Sequence, residues 1–259
     1  MNKKKDDRVG ETNYNNQGCL MKIIKYIDYR NVIVQFQDEH KFEAHTRYDH
    51  FISGVVKNPY FPFIYDVGMI GVKYPAKINQ KITKEYDTWR SMLRRCFDKS
   101  FKERCPAYKD VTCCNEWLCF ENFYEWLHKQ ENFDKWSNEK GWNVDKDILV
   151  KGNKIYSPET CSLVPDYVNN LFSKGGNDNK CGLPIGVHMH GNSFQSACCD
   201  LYDKRKHLGT YSTPEEAFLA YKQHKENLIK QVGQEEYNNK NITKKCYEAM
   251  MNYIVEITD

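Results

Sequence analysis

Residues 183–230 read LPIGVHMHGNSFQSACCDLYDKRKHLGTYSTPEEAFLAYKQHKENLIK and carry the clearest fold signal of the chain. Three short apolar segments, LPIGVHMHG, SFQSACCDL and KHLGTYS, are separated by turn-forming residues and predict three strands. The segment that follows predicts a helix, with Thr213 as N-cap, Pro214 at the first helical position and Glu216 in the first turn. We therefore expect a three-stranded sheet packed against one helix.

Upstream, residues 141–172 read GWNVDKDILVKGNKIYSPETCSLVPDYVNNLF. This order predicts a short strand, a Gly-Asn turn, a second strand, and then a turn and a helix that ends near Phe172. Apolar residues at helical spacing predict a helix from Tyr86 to Cys96 and a second one from Glu116 to Lys129. The segment KYPAKINQK, residues 73–81, is typical of a basic linker.

We predict an α+β fold class on these patterns. Residues 1–18 are polar and suggest a mobile arm, and alternating segments such as MKIIKYI and NVIVQF predict a small β-rich N-terminal module over 19–75. The predicted domains after it are a central ββα domain, a domain with a three-stranded sheet plus helix, and a C-terminal extension, over residues 82–173, 182–232 and 233–259.

Composition excludes several classes of protein. Hydrophobic residues make up 40% and charged residues 28% of the 259 residues, which is typical of a globular protein. No apolar run approaches the roughly 18 residues of a membrane helix, and no apolar segment follows MNKKKDD as it would in a secretory signal. We therefore expect a cytoplasmic protein without a membrane partner, in which the 11 cysteines are reduced thiols.

Positive charge is concentrated in one region. The net charge is only +3, but Val72 to Asp110 contains 11 Lys and Arg against 5 Asp and Glu. Such a region can neutralise backbone phosphates of DNA, and we name Arg90, Arg94 and Arg95 as candidates for that contact. The alternative is that these arginines form an ordinary solvated helix face.

The C-terminal segment resembles the APETALA2/ethylene-response-factor DNA-binding domain. The resemblance rests on Gly186-Val187, on LGTY, on the TPEEA cap and on the Ala-Tyr helix face, in that order. It implies that the sheet lies in the major groove of double-stranded DNA. The side chains that this implies for DNA contact are His188, His190, Asn192, Gln195, Ala197, Cys199, Arg205 and His207.

Residues 86–172 resemble HNH endonucleases, the ββα-metal group, as found in phage and mobile elements. The resemblance rests on YDTWRSMLRRCF, VTCCNEWLCFENFYEW, NVDKDI and YSPETCSLV. It implies Mg²⁺ or a similar divalent ion on Asp145 and Asn169. Residues two apart on a strand share a face, so Asp147 is a candidate second carboxylate for the same ion; the alternative is that Asp145 and Asp147 are hairpin charges that face water. Lys146 stands where the family has its general-base His. Three alternatives follow: Lys146 takes over that catalytic role, another His supplies the base, or Lys146 pairs with a phosphate.

Cys96, Cys114 and Cys161 recur in these proteins, and two interpretations of them stay open. They form a structural zinc site with Cys105 or Cys113 as fourth ligand, or they are buried thiols. The function expected from the sequence is a DNA-binding, metal-dependent HNH-type endonuclease that hydrolyses phosphodiester bonds, for example a homing endonuclease. The alternatives are a catalytically inactive DNA-binding or phage regulatory protein, and a protein-interaction module on the same folds.

Overall fold

A computed structural model describes residues 8–172, 182–201 and 204–257. The chain is an α+β protein with several small sheets, and it divides into two compact units. The first unit comprises residues 1–109 and 115–125, and the second comprises residues 110–114 and 126–259. The expected central domain, residues 82–173, thus contributes residues to both units.

The first unit is built on an antiparallel sheet in the order β1-β2-β3-β4. Its strands are β1 (Thr12–Tyr14), β2 (Leu20–Asp28), β3 (Asn31–Phe36) and β4 (Glu43–Thr46). Apolar side chains alternate along β2 and β3, and Met21, Ile23, Val32 and Val34 are fully buried beneath the sheet. The prediction of strands in this module is confirmed. The prediction of a mobile arm over residues 1–18 was wrong for residues 8–18, because β1 lies in that range and pairs with β2. Residues 1–7 of that arm lie outside the described residues.

Short elements follow the sheet in the first unit. They are the helix α1 (Tyr48–Ser53), the hairpin strands β5 (Lys77–Ile78) and β6 (Lys81–Ile82), and the helices α2 (Lys84–Phe97) and α3 (Lys99–Arg104). The hydroxyl of Thr83 caps α2 by accepting a hydrogen bond from the Tyr86 backbone N–H. The α2 prediction is confirmed. The prediction of a basic linker over residues 73–81 was wrong, because Lys77–Ile78 pairs with Lys81–Ile82 to form a hairpin.

The aromatic residues of the first unit form its second core. Trp89 is fully buried on α2, and its indole N–H donates to the backbone carbonyl of Trp117 at 2.7 Å. Residues Asn115–Leu118 form a 3₁₀ turn, and the helix α4 follows over Phe120–His128. The single helix predicted from Glu116 to Lys129 is therefore two elements. Phe120 packs against Trp89 with ring centroids 5.5 Å apart.

The second unit contains two small two-stranded sheets. Its first elements are β7 (Thr112–Cys113), α5 (Phe133–Asn138), β8 (Trp142–Asp145), β9 (Ile155–Tyr156), β10 (Ser162–Pro165) and α6 (Asp166–Asn170). The strand β8 pairs antiparallel with β10, while β9 pairs parallel with β7. The sequence predicted the strands β8 and β9 on either side of a Gly-Asn turn, and the structure pairs each of them with a different strand.

The last part of the second unit is a three-stranded antiparallel sheet with a long helix. Its elements are β11 (Val187–His190), β12 (Ser193–Cys199), β13 (Arg205–Tyr211), α7 (Pro214–Asn238) and α8 (Lys244–Met251). Thr213 and Glu216 form a capping box at the start of α7, which confirms the predicted helix start. Gly186 precedes β11 with φ of +74° and lies against the ring of Tyr221 on α7.

Candidate nucleic-acid interface and the Asp145 loop

The three-stranded sheet has one face that α7 covers. Val187 and Cys198 of the sheet form a buried cluster with Ala217, Phe218 and Tyr221 of α7. Successive side chains of a strand point to opposite faces. The residues that alternate with Val187 and Cys198 therefore project away from the helix, and we call that side the outer face.

The register of the sheet places the predicted DNA-contacting residues in rows on the outer face, except Asn192, which lies in the turn between β11 and β12. His188 pairs with Gln195, and Gln195 pairs with Thr210, so that one row crosses all three strands. Directly opposed residues in antiparallel strands share a face. The same pairing joins Cys199 to Arg205 and Ala197 to His207, and His190 to Ser193.

Exposure differs along these rows. His190, Asn192, Arg205 and His207 are exposed, and His188 and Gln195 are half-buried. Ala197 is only 8% exposed, so its methyl group lies low between the longer side chains of the outer face. The sequences of strands β11, β12 and β13 contain no acidic residue. Lys206 pairs with Cys198 and therefore lies on the side of α7, whereas Arg205 and the three histidines lie on the outer face. The outer face is thus a polar surface with one arginine.

The predicted arginines lie on α2 in the first unit. Arg90 and Arg94 are exposed and Arg95 is half-buried. The guanidinium of Arg94 lies 4.9 Å from the ring centroid of Phe101, and that of Arg95 lies 5.8 Å from the ring centroid of Tyr108. Cation–π contacts of this kind are weak at exposed sites and favour these positions of the guanidinium groups. The helix therefore presents the positive charges of Arg90 and Arg94 on its exposed side.

Asp145 ends β8 and holds the loop that follows it. One carboxylate oxygen, Oδ2, accepts hydrogen bonds from the backbone N–H groups of Asp147 at 2.7 Å and of Ile148 at 2.8 Å. Asp145 is 7% exposed. Burial raises the pKa of its carboxyl group above the ordinary value, although the two N–H donors act in the opposite direction. The residue therefore has a structural task in the loop.

Lys146 is buried beside Asp145, with 6% of its surface exposed. Its ammonium group donates to both carboxylate oxygens of Asp147, at 2.6 and 2.7 Å, and to the backbone carbonyl of Asn153 at 3.1 Å. The Asn153 amide donates in turn to the Lys146 carbonyl at 2.8 Å. All three donor positions of the ammonium thus face acceptors of the protein itself.

Asn169 and Asn170 lie at the end of α6, where Asn169 is half-buried and Asn170 exposed. A cavity of about 350 Å³ lies beside Asn170 and is lined also by Trp142 and Tyr167. Asp145, Lys146 and Asn169 are not among its lining residues. The cavity is therefore separate from the predicted catalytic residues.

The predicted metal ligands fit Mg²⁺ poorly in this arrangement. Mg²⁺ requires nearly octahedral oxygen ligands and usually keeps several waters. One Asp145 oxygen is engaged by two backbone donors, and both Asp147 oxygens bind the Lys146 ammonium. In the part of the chain that the structure describes, no three His, Cys, Asp or Glu side chains form a group suited to a metal. Metal binding remains a prediction, and no chemical step is derived from it.

The three cysteines predicted for zinc are divided between the two units. Cys96 is buried in the first unit, and Cys114 and Cys161 belong to the second, where Cys161 is buried. Burial raises the pKa of the Cys161 thiol far above its usual range. Both interpretations of the three cysteines, a zinc site or buried thiols, stay predictions.

Sequence reasoning missed several residues that shape these regions. Asn153 fastens the loop after Lys146 through backbone hydrogen bonds. Thr210 shares the row of His188 and Gln195 because the register of β12 and β13 shifts between Ser196 and Ala197, and strand alternation from His207 would have placed Thr210 on the opposite face. The alternation of Lys and Ile around Asn79-Gln80 was the available signal for the β5–β6 hairpin.

Comparison with known proteins found no relative: no protein-family model, no curated protein and no solved structure matches the chain. Among the described residues, none of the helices combines the length and the apolar character needed to cross a membrane.

Proposed function

We propose that this chain binds double-stranded DNA through the outer face of the β11–β13 sheet. The observation that supports this most is the row formed by His188, Gln195 and Thr210, which crosses all three strands on the side away from α7. The resemblance to APETALA2-type domains points to the same side chains. Basic groups and the absence of acidic residues in these strands suit the phosphate-rich surface of DNA.

Side-chain chemistry assigns separate tasks on the DNA. The major groove is about 12 Å wide and admits β structure. A Gln amide can bond adenine at N6 and N7, and an Arg guanidinium can bond guanine at O6 and N7. Gln195 is the candidate for base contact in the centre of the sheet, and Arg205 is the candidate for a phosphate or guanine at the start of β13.

The test is the binding of the full chain to labelled duplex DNA, measured by fluorescence anisotropy at several salt concentrations. Arg205→Gln should weaken binding and, for a phosphate contact, lower the salt slope by about 1. Gln195→Ala should weaken binding to the preferred sequence more than to other duplexes. Arg30→Gln, at an exposed position in the turn after β2, is the matched control and should bind as the wild type does. Unchanged binding in both outer-face variants would contradict the proposal.

Hydrolysis of DNA is a second candidate function. It is favoured by the element order, since β8 pairs with β10 and β10 leads directly into α6, with Asp145 at the end of β8. The ββα order that the HNH resemblance implies has the same sequence of elements. The internal hydrogen bonds of Asp145 and Lys146 count against it, so we rank it below DNA binding.

Plasmid cleavage separates the two functions. Supercoiled plasmid is incubated with the full chain and Mg²⁺ or Mn²⁺, with Asp145→Asn and Lys146→Ala as variants and DNA binding of each measured in parallel. Loss of cutting in Asp145→Asn with binding intact supports a nuclease of phage or mobile-element type. Absence of cutting by the wild type, together with salt-sensitive binding, supports a DNA-binding protein without hydrolytic activity.

A further inference from the structure

The β5–β6 hairpin is an exposed element of the first unit. Lys77 pairs with Ile82 and Ile78 pairs with Lys81, and the six residues from Lys77 to Ile82 are all exposed. Ile78 is 56% and Ile82 44% exposed. A two-stranded hairpin without a covering layer is marginally stable in water. The isoleucines therefore do not stabilise this hairpin by forming a core.

The turn of the hairpin is strained. Its two central residues, Asn79 and Gln80, have φ of 49° and 64°. A two-residue turn with both φ values positive strongly prefers Asn-Gly, because glycine avoids the clash of Cβ with the backbone. Gln is a poor choice for the second position on conformational grounds. Strained residues of this kind are concentrated where the side chain has a binding task.

The two faces of the hairpin carry the same pair of chemical groups. Directly opposed residues share a face, so that Lys77 and Ile82 lie on one side and Ile78 and Lys81 on the other. Each side thus has one cation and one exposed apolar group, with two amides at the tip. A partner that fits this arrangement has negative charge on both walls of a narrow cleft and hydrogen-bond acceptors at its floor.

We propose that the tip of the β5–β6 hairpin enters the minor groove of A·T-rich double-stranded DNA as a second contact. The proposal rests on the DNA binding proposed above. The minor groove is about 6 Å wide, has phosphates on both walls and exposes adenine N3 and thymine O2 as acceptors. Lys77 and Lys81 each face one wall, the Asn79 and Gln80 amides donate to the floor, and Ile78 contacts the sugars or a base step.

The region around the hairpin has matching charge. Lys73 to Lys109 contains the local excess of Lys and Arg, and α2 begins at Lys84 directly after the hairpin. Arg90 and Arg94 on α2 are exposed as well. Backbone phosphates next to the groove would therefore meet positive charge on the same unit.

The experiment measures binding of the full chain to A·T-rich and G·C-rich duplexes of equal length by anisotropy. The variant Gln80→Gly removes the amide while it gives the turn its preferred sequence, so that a loss of binding is not a loss of folding. A second variant combines Lys77→Gln with Lys81→Gln. Its matched control replaces two exposed lysines of β2 and combines Lys22→Gln with Lys25→Gln. Thermal unfolding of each variant is recorded, and netropsin serves as a minor-groove competitor.

We expect Gln80→Gly to unfold at the wild-type temperature or above it. The ratio of its affinities for the A·T-rich and the G·C-rich duplex should be about tenfold lower than that of the wild type. The double lysine variant should lower the salt slope by about 2, and netropsin should displace the wild type in part. Equal binding by wild type and hairpin variants, with Arg205→Gln still impaired, overturns the hairpin contact and leaves the proposed function intact. Weakened binding without A·T preference or netropsin competition overturns the minor-groove assignment. If the wild type binds no DNA, both proposals fail.

Discussion

Asp145 and Ile148 are joined by a hydrogen bond of 2.8 Å from the Ile148 backbone N–H to the Asp145 carboxylate. The same oxygen accepts the N–H of Asp147. The chain leaves β8 at this point, and the carboxylate takes the place of the strand partner that these N–H groups no longer have. Because Ile148 belongs to the buried core with Val164 and Val168, the bond connects the loop to the core of the second unit.

Asp145→Ala should destabilise the protein by about 2–4 kcal/mol, since it leaves two backbone donors without an acceptor. Asp145→Asn retains an acceptor oxygen and removes the buried charge, so we expect a clearly smaller loss at pH 7. Urea unfolding of the two variants and the wild type checks this order. An equal loss in both variants would show that the charge itself, and not the acceptor, is required.

The stability difference between wild type and Asp145→Asn should depend on pH. Burial raises the folded-state pKa of the Asp145 carboxyl above its unfolded value of 3.8. The protonated form is therefore favoured by folding, and this contribution is full below pH 3.8 and is lost as the pH rises through the folded pKa. Relative to Asp145→Asn, the wild type should thus become less stable from about pH 4 towards neutral pH in urea unfolding. If the wild type instead gains stability relative to Asp145→Asn towards neutral pH, the pKa of the Asp145 carboxyl is not raised by folding.

Asp147 is the charged partner of the buried Lys146 ammonium. Asp147→Ala should lower the free energy of unfolding by about 1–3 kcal/mol, because it leaves a buried cation with one carbonyl acceptor. The loss is limited because the Asp147 side chain is itself partly exposed to solvent. Lys146→Met removes the cation and should cost about 1 kcal/mol or less. Unfolding of the two single variants and the double variant forms a cycle. If Lys146→Met is the more harmful change, the ammonium has a task beyond this pair.

Short-range signals predicted the elements whose determinants are close in sequence. Thr213, Pro214 and Glu216 lie within four residues and specify the start of α7, and the capping box forms as expected. The period of two along β11 and β12 likewise identified the outer face. In both cases the decisive contacts are local or follow from strand geometry alone.

Long-range contacts were beyond the same reasoning. β9 pairs with β7, so that Thr112 lies opposite Ile155, far away along the chain. The roles of Asp145 and Lys146 depend on their burial, which comes from the packing of distant segments. The basic composition of residues 73–81 indicated a linker. Asn-Gln is not a favoured pair for a two-residue hairpin turn, so the sequence contained no turn signal for β5 and β6.

Lys225 on α7 is predicted to reduce stability. Burial lowers the pKa of its ammonium group below the ordinary value, although the nearby Cys198 and Cys199 thiols act in the opposite direction. Lys225→Met should raise the free energy of unfolding at pH 7 by about 1 kcal/mol, since it replaces a desolvated cation by an apolar chain.

The sign of the pH effect follows from the lowered pKa of Lys225. Folding favours the neutral amine, so this contribution is full above the unfolded pKa of 10.5 and is lost as the pH falls through the folded pKa. The advantage of Lys225→Met should therefore shrink between about pH 7 and pH 10. Guanidinium unfolding at both pH values measures it, and Lys244→Met, at an exposed position on α8, is the control. An advantage that stays constant would mean that the ammonium is not desolvated.

Gly186 is required where the chain enters β11. A Cβ atom there would lie 2.1 Å from Cδ2 of the buried Tyr221 ring, and φ is +74°. Gly186→Ala should therefore destabilise the protein by about 2–4 kcal/mol through overpacking and backbone strain. Gly152 has the same φ of +74° with nothing within 4 Å of its Cβ position. Gly152→Ala therefore measures the backbone strain alone and should lower the free energy of unfolding by about 1 kcal/mol.

Because Val187 follows Gly186 in the sheet, Gly186→Ala should also weaken DNA binding, whereas Gly152→Ala should not. Equal stability losses in the two variants would show that Tyr221 yields to the added methyl group and that close packing of α7 on the sheet does not depend on this glycine.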